Sequence, residues 1–167
     1  TDAYVAALRS DLRRLWSNVI QRRAPQVLQT ALDPAVTFPS GHTAIALMQA
    51  VNIWFQLSKI IDENAADLTY LHLYFQGEPY LHPIFLELVK YANERKVFTA
   101  TSTNAHYLTE QNVAKTLDSG LKQLIISMDG ITQEVYQDYR IGGSLSKVQE
   151  GLKLLIQKRA ERKQLFP

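Results

Sequence analysis

The sequence predicts an α/β protein built on a parallel sheet, and three observations lead to this prediction. From residue 67 onward, short apolar runs alternate with longer segments that have helical periodicity. The short runs are apolar almost throughout, as in strands that are covered on both faces. Polar turns with glycine, proline or acidic residues follow them, so we expect parallel strands joined by right-handed crossovers.

The composition is typical of one globular domain. The chain has 167 residues, of which 46% are hydrophobic and 20% are charged, and its net charge is +2. That length is sufficient to bury a core, and so small a charge gives no reason to expect a nucleic-acid partner. Cysteine is absent, which excludes disulfides, thiolate nucleophiles and cysteine-ligated clusters within these residues.

The sequence also gives no reason to expect a membrane partner. Its longest apolar run, residues 44–57, is interrupted by Gln49, Asn52 and Gln56 and is shorter than the ~20 residues of a spanning helix. The first residues lack the basic, apolar and small-residue pattern of a signal peptide. We therefore expect a soluble, cytoplasmic protein.

The opening third of the chain is predicted to be mainly helical. Apolar residues recur at helical spacing over residues 4–23, which predicts an amphipathic helix that ends at Pro25. The next segments are predicted to be a short strand (26–30), a loop (31–42) and a helix (43–64) with a break near residues 50–54.

Three βα units are predicted after this opening. Their strands are expected at 68–75, 97–102 and 122–130, and their helices at 82–96, 109–120 and 144–163. Thr109 and Ser144 are predicted helix N-caps, and Gly120 is a predicted helix stop. With the opening segment counted as a further unit, about four units are too few for an eight-stranded barrel. We therefore expect a truncated parallel (βα) partial barrel with an N-terminal amphipathic helix.

Polar segments follow all three predicted strands, and we call these segments together the strand-end rim. They are Gln76-Gly77-Glu78-Pro79, Ser102-Thr103-Asn104 and Ser127-Met128-Asp129-Gly130. Ligands of parallel α/β proteins bind at the carboxyl ends of the strands. Carboxylates, an amide and a hydroxyl beside glycine turns could bind a ligand amine or ribose hydroxyls there. The alternative is that these residue types only make turns.

Three segments carry a resemblance to a known family. They are "LTYLHLYFQGEPYLHP", "TATSTNAHYLT" and "SGLKQLIISMDGITQEVYQDYRIGGSLSKVQEG". Together they resemble the core of a radical S-adenosylmethionine (SAM) enzyme, and the SPASM-type group in particular. The resemblance covers about residues 57–160, with the Gly-Glu-Pro turn and the two polar strand ends in the family's order. It implies a six-unit partial (βα) barrel.

The resemblance also implies roles for seven residues. Gly77, Glu78 and Pro79 match the turn that binds the amino group of SAM. Strand-end positions near the ribose and methionine portions of SAM are matched by Asn104, Ser127 and Asp129. Arg140 matches an arginine that pairs with the SAM carboxylate, a task for which the guanidinium fork is suited.

The chain departs from the family at the iron–sulfur cluster. The family has Cys-x3-Cys-x2-Cys after its first strand, whereas the corresponding positions here are Ala31, Ala35 and Phe38. We therefore expect no 4Fe–4S cluster and no reductive cleavage of SAM by this chain, while SAM itself remains a candidate cofactor. The last two family strands are also missing, so we expect a second copy or a further C-terminal segment to cover the sheet edge.

The residues around position 40 resemble a different family. "FPSGHTAIA" (38–46) is similar to the central signature of type-2 phosphatidate phosphatases, in which Ser40, Gly41 and His42 would match phosphate-binding and proton-donating groups. The later Ser-Arg pair and the nucleophilic histidine of that family have no counterpart here. The alternative is a helix start capped by Ser40 or Thr43.

The histidines show no metal-binding pattern. His42, His72, His82 and His106 have no metal-ligand spacing, and each is expected to be a satisfied or surface histidine. Strand alternation would place His72 under a neighbouring helix. We therefore predict no metal site.

These observations lead to one domain over 1–167 and to three functional hypotheses. The parts of this domain are the amphipathic helix (1–24), a poorly matched opening segment (25–56) and the radical-SAM-like βα units (57–163). The weaker match of the front residues indicates either divergence or a junction near Trp54–Leu57. The first hypothesis is a radical-SAM-like core that binds SAM but is inactive as an isolated chain. The second is a non-catalytic or engineered interaction module, and the third is a phosphatase-like site at Ser40 and His42.

Overall fold

The computed structural model describes residues 41–73 and 77–167, and of residues 41–51 only the backbone. The chain divides into two compact units, residues 1–60 and residues 61–167. The predicted amphipathic helix (1–24) and the predicted strand (26–30) lie outside the described residues. Within the described ranges, no helix is long and apolar enough to cross a membrane.

The described residues form five α-helices, one 3₁₀ turn and three strands. In chain order they are α1 (Gly41–Glu63), β1 (Tyr70–His72), the 3₁₀ turn (Pro79–Leu81), α2 (Phe85–Glu94), β2 (Phe98–Thr103), α3 (Glu110–Ser119), β3 (Gln123–Ile126), α4 (Gln133–Tyr139) and α5 (Leu145–Glu161).

The three strands form one parallel sheet in the order β1-β2-β3. Tyr70 pairs with Phe98 at one end of the sheet, and Thr103 pairs with Ile126 at the other. The predicted α/β class with a parallel sheet is therefore confirmed. Its extension into a four-unit partial barrel remains a prediction.

Side-chain caps set the helix ends as the sequence predicts. The hydroxyl of Thr109 accepts the Asn112 N–H at the start of α3, and Gly120 ends that helix with φ of 72°. At the start of α5 the hydroxyl of Ser144 accepts the Lys147 N–H. These caps satisfy N–H groups that have no partner within the helix.

Several predicted boundaries are wrong. Helix α1 runs from Gly41 to Glu63 without the predicted break near residues 50–54, because no proline or glycine interrupts it after Gly41. The helix predicted over 82–96 begins at Phe85, since the preceding residues close a 3₁₀ turn in which the His82 N–H donates to Pro79 O. Strand β3 ends at Ile126, and helix α4 was not predicted.

The helices of residues 61–167 pack on one face of the sheet. Leu71 contacts the cluster of Ile61, Ala92 and Val97, and Leu73 contacts the cluster that contains Phe85 and Leu121. A larger cluster joins α3, α4 and α5, and its buried members are Ala105, Leu108, Val113, Leu117, Tyr136, Leu145, Val148 and Leu155. Each large buried side chain contributes about 1.5–3 kcal/mol, so this packing fixes the strand ends relative to the helices.

The opposite face of the sheet carries exposed aromatic side chains. Tyr70 and Phe98 stack with ring centroids 5.5 Å apart, and their residues are 48% and 37% exposed. His72 also lies exposed rather than under a helix as predicted. Because side chains alternate along a strand, Leu71 takes the helix-facing position instead.

Candidate functional site

The carboxyl ends of the three strands lie side by side and bring the strand-end rim together. Thr103 ends β2 opposite Ile126 of β3. The N–H of Ser127, the residue that follows β3, donates to Thr103 O at 2.9 Å. Ser102 and Ser127 are also joined through their hydroxyls at 2.9 Å. The second and third rim segments are therefore in direct contact.

Glu78 connects the first rim segment to the second. Its Oε1 accepts the Thr103 hydroxyl at 2.7 Å, and its Oε2 accepts the Asn104 N–H at 2.9 Å. Oε1 also accepts the Tyr80 N–H at 3.2 Å, which caps the 3₁₀ turn. A carboxylate has about four lone-pair sites, so most of its accepting capacity is used within the protein.

The Asn104 side chain is held by a hydrogen bond within its own turn, and its amide N–H groups remain available as donors. Its Oδ1 accepts the His106 N–H at 3.0 Å. The following residue, Ala105, has φ of 62° and is 1% exposed, an arrangement that costs a non-glycine residue about 1 kcal/mol. Within the described ranges, the Asn104 side-chain amide N–H groups have no hydrogen-bond partner, so they can donate to a ligand.

Asp129 and Arg140 form an ion pair at the third strand end. The Arg140 Nε lies 2.6 Å from Asp129 Oδ2, and the side chains are 38% and 42% exposed. Neither residue forms a hydrogen bond with Glu78 or Asn104 in the described part of the chain. The structure thus pairs two predicted site residues with each other at the third strand end.

Tyr136 lies near this ion pair and was not identified from the sequence. The residue is fully buried, and its hydroxyl has no hydrogen-bond partner within the described ranges. A Cβ on Gly130 would lie 2.6 Å from the Tyr136 N, and one on Gly143 would lie 2.7 Å from its ring. Burial raises the pKa of Tyr136, the Arg140 charge lowers it, and the Asp129 charge raises it.

His106 is a second residue of the site that sequence reasoning missed. Its Nε2 accepts the Ser144 N–H at 3.0 Å, and its ring lies over that of Tyr136 with centroids 6.2 Å apart. The contact joins residues 38 positions apart in the chain. Only the position of His106 two residues after Asn104 could have drawn attention to it.

The donors and acceptors of the rim are compatible with SAM. Gly77 has φ of +84°, and among the described residues an added Cβ would meet no atom within 4 Å, so that part of the structure leaves the backbone of this turn open to a ligand. The Asn104 amide and the Arg140 guanidinium can donate to hydroxyls and to a carboxylate.

A 4Fe–4S cluster bound by cysteines does not fit these 167 residues, because none of them is cysteine. The positions expected for its ligands, Ala31, Ala35 and Phe38, lie outside the described residues. In the ranges that the structure describes, no three His, Asp or Glu residues come together to hold a metal ion.

Two curated proteins are similar to this chain, whereas no family model matches it. An AdoMet-dependent heme synthase of Methanosarcina barkeri is 28% identical over 96 residues, which are 57% of this chain and 28% of that protein. An AdoMet-dependent heme synthase of Oleidesulfovibrio alaskensis is 27% identical over 82 residues, or 48% of this chain and 21% of that protein. The chain therefore spans about a quarter of the length of these relatives. This distant similarity supports a radical-SAM-like core.

The phosphatase-like hypothesis gains no support. Ser40 lies outside the described residues, and His42 belongs to α1 in a stretch of which only the backbone is described. The two relatives described above are heme synthases. The predicted loop over 31–42 also ends earlier than expected, because α1 begins at Gly41.

Proposed function

We propose that this chain is a radical-SAM-like core that binds SAM at the strand-end rim and does not by itself cleave SAM reductively. One observation carries the proposal: the Glu78 carboxylate joins the Gly77–Pro79 turn to Thr103 and Asn104. This contact fixes two of the three rim segments as one surface. The distant similarity to AdoMet-dependent heme synthases supports the identity of the ligand.

The proposed contacts follow the chemistry of each residue. The turn of Gly77, Glu78 and Pro79 receives the SAM amino group, with the remaining lone pair of Glu78 and the open backbone at Gly77 as acceptors. Asn104, Ser127 and Asp129 face the ribose and methionine portions. Arg140 pairs with the SAM carboxylate through its other guanidinium N–H groups, because its Nε–H donates to Asp129.

The proposed function of this chain is the binding of SAM. Bound SAM supplies a sulfonium-activated carbon, and this chain's residues hold and orient it. These 167 residues supply no thiolate for an iron–sulfur cluster, since they contain no cysteine. The heme-synthase activity of the relatives belongs to much longer proteins.

We propose in addition that the sheet continues beyond β3 as a partial barrel. Strand β3 pairs with β2 on one side, and Ile125 on it is 41% exposed. A second copy of the chain or a further C-terminal segment would supply the next strand. Sedimentation of this chain as a monomer at all concentrations would argue against the second copy.

Calorimetric titration with SAM tests the binding proposal. Wild-type chain should bind SAM, and Arg140→Ala should weaken binding about 10- to 100-fold, because a hydrogen bond to a charged group contributes roughly 1.5–3 kcal/mol. Arg162→Ala is the matched control, since Arg162 forms a similar exposed ion pair with Asp118 in another part of the structure. Failure of the wild-type chain to bind SAM would contradict the proposal and favour the interaction-module hypothesis.

A further inference from the structure

His106 joins the β2 end of the strand-end rim to the turn that follows Arg140. On the β2 side, its ring Nδ1 lies 3.1 Å from the backbone carbonyl of Asn104. On the other side, its Nε2 lies 3.0 Å from the N of Ser144. The ring is partly buried and stacks on Tyr136, so its orientation is fixed by packing as well as by hydrogen bonds.

The two hydrogen bonds define the tautomer of His106. A backbone N–H can only donate, so Nε2 must be the unprotonated nitrogen that accepts from Ser144. Nδ1 then carries the proton and donates it to Asn104 O. The neutral ring thus donates from Nδ1 to the β2 end and accepts at Nε2 from the turn.

The turn that His106 holds is the one that carries Arg140. Gly143 N–H donates to Arg140 O at 2.7 Å and closes this turn. Gln133 Nε2 donates to Gly143 O at 2.9 Å, and Gln133 Oε1 accepts the Leu145 N–H at 2.8 Å. Gln133 belongs to α4, next to the turn in the chain. His106 alone among these partners comes from the β2 end, where Asn104 and Glu78 lie.

We propose that His106 is a positioning residue that sets Arg140 relative to Asn104, so that SAM can contact two halves of the site at once. The Glu78 half contains Glu78 and Asn104, and the Asp129 half contains Asp129 and Arg140. This inference rests on the proposed SAM binding. The Asp129–Arg140 pair is exposed, and such a pair constrains its partners weakly. The position of Arg140 relative to Asn104 therefore depends on the backbone of the turn, which the Ser144–His106 bond ties to the β2 end.

Two conservative substitutions each retain one of the two hydrogen bonds of His106 and remove the other. The side-chain amide of His106→Asn replaces Nδ1 and keeps the donor to Asn104 O, but it is too short to reach Ser144. The longer side chain of His106→Gln places an oxygen near the position of Nε2 and keeps an acceptor for the Ser144 N–H. Both variants remove the ring that stacks on Tyr136, so they are matched for that loss.

Titration with SAM and with its decarboxylated analogue measures the effect on Arg140. His106→Asn should weaken SAM binding about fivefold, the loss expected for one hydrogen bond, and His106→Gln should retain most of the affinity. The decarboxylated analogue lacks the carboxylate that pairs with Arg140, so both variants should bind this analogue as tightly as the wild-type chain does. Equal losses in the two variants, equal losses for the two ligands, or no loss for SAM would overturn the proposal.

Hydrogen exchange distinguishes failure of this inference from failure of SAM binding. Without ligand, the Ser144 amide should exchange faster in His106→Asn than in wild type, whereas in His106→Gln it should stay protected. If wild-type chain does not bind SAM, the proposed function fails, and the exchange data still report on the His106 connection. Unchanged Ser144 exchange in His106→Asn would show that the connection does not hold the turn.

Discussion

Glu78 and Asp129 are carboxylates of the same strand-end rim, but the protein holds them differently. Glu78 accepts hydrogen bonds from the Thr103 hydroxyl and from the backbone N–H groups of Asn104 and Tyr80. Asp129 pairs with Arg140, and both of those side chains are about two-fifths exposed. The first carboxylate is part of the folded framework, whereas the second is part of a solvent-facing pair.

The difference predicts where stability and ligand binding depend on each residue. Loss of Glu78 leaves a buried hydroxyl and backbone N–H groups without their acceptor, and each unsatisfied buried group costs about 1–3 kcal/mol. An exposed ion pair contributes about 0–1 kcal/mol and can exchange partners at small cost. Glu78 is therefore expected to shape the site, while Arg140 is free to bind a ligand carboxylate.

The largest expected effect is that of Glu78→Ala. We expect the free energy of unfolding to fall by about 2–4 kcal/mol, because Thr103 is only 2% exposed and loses its acceptor. Urea denaturation measures this change. Glu150→Ala, on the exposed side of α5, is the control and should cost less than about 0.5 kcal/mol. A similar small loss for Glu78→Ala would remove the contrast with Asp129.

The next effect compares glycines in the two halves of the rim. A Cβ on Gly130 would meet the Tyr136 backbone at 2.6 Å, so Gly130→Ala should destabilise by about 2 kcal/mol through forced backbone movement. A Cβ on Gly77 would meet no atom of the described residues within 4 Å, but the φ of +84° disfavours a side chain there. Gly77→Ala should therefore cost about 1 kcal/mol in thermal or urea unfolding. The reverse order would mean that the Asp129 half adapts more easily than its packing indicates.

A smaller effect is expected in the pH dependence of stability, and it comes from Tyr80, which lies beside Glu78. Burial, opposed by the Thr116 hydrogen bond and reinforced by the Glu78 charge, raises the pKa of Tyr80 to about 12. The folded state thus favours the neutral phenol, and its stabilising contribution is present below pH 10 and is lost as the pH rises toward 12. Stability should fall by about 1 kcal/mol more between pH 8 and pH 11 in wild type than in Tyr80→Phe. Identical pH profiles would contradict this assignment.

The smallest effect is expected at the exposed pair. Asp129→Asn should lower the free energy of unfolding by less than about 1 kcal/mol, and 1 M salt should reduce the difference between variant and wild type. Chemical denaturation with urea at low and high salt measures both. A loss as large as that of Glu78→Ala would show that the pair is a structural element of the rim.

The sequence was sufficient for the local features of this fold. Thr109, Gly120 and Ser144 have the capping roles that were predicted, because caps depend on residues within one helical turn. The parallel strands followed from continuous apolar runs between amphipathic segments. The short helix α4 was missed, since its seven residues bury one side chain, Tyr136, and give no clear helical period.

The candidate site could be predicted only as a set of residues. The strand-end pattern indicated Gly77, Glu78, Asn104 and Asp129, because parallel topology required the three strand ends to share an edge. Arg140 was indicated only by the family resemblance. It could not assign the partners, because Glu78 meets Thr103 and Asn104 across 25 and 26 positions. Hydrogen bonds between distant residues depend on register and helix packing, which no local pattern encodes.

By itself, then, the sequence determined the parallel α/β class, the helix caps and the absence of cysteine ligands. Only the tertiary structure decided that Glu78 accepts the Asn104 N–H at the β2 end and that Asp129 pairs with Arg140. It also decided that His106 accepts the Ser144 N–H and so joins the turn after Arg140 to the β2 end. The physical reason is range: propensities and caps act within a few residues, whereas these contacts form after the sheet and helices have packed.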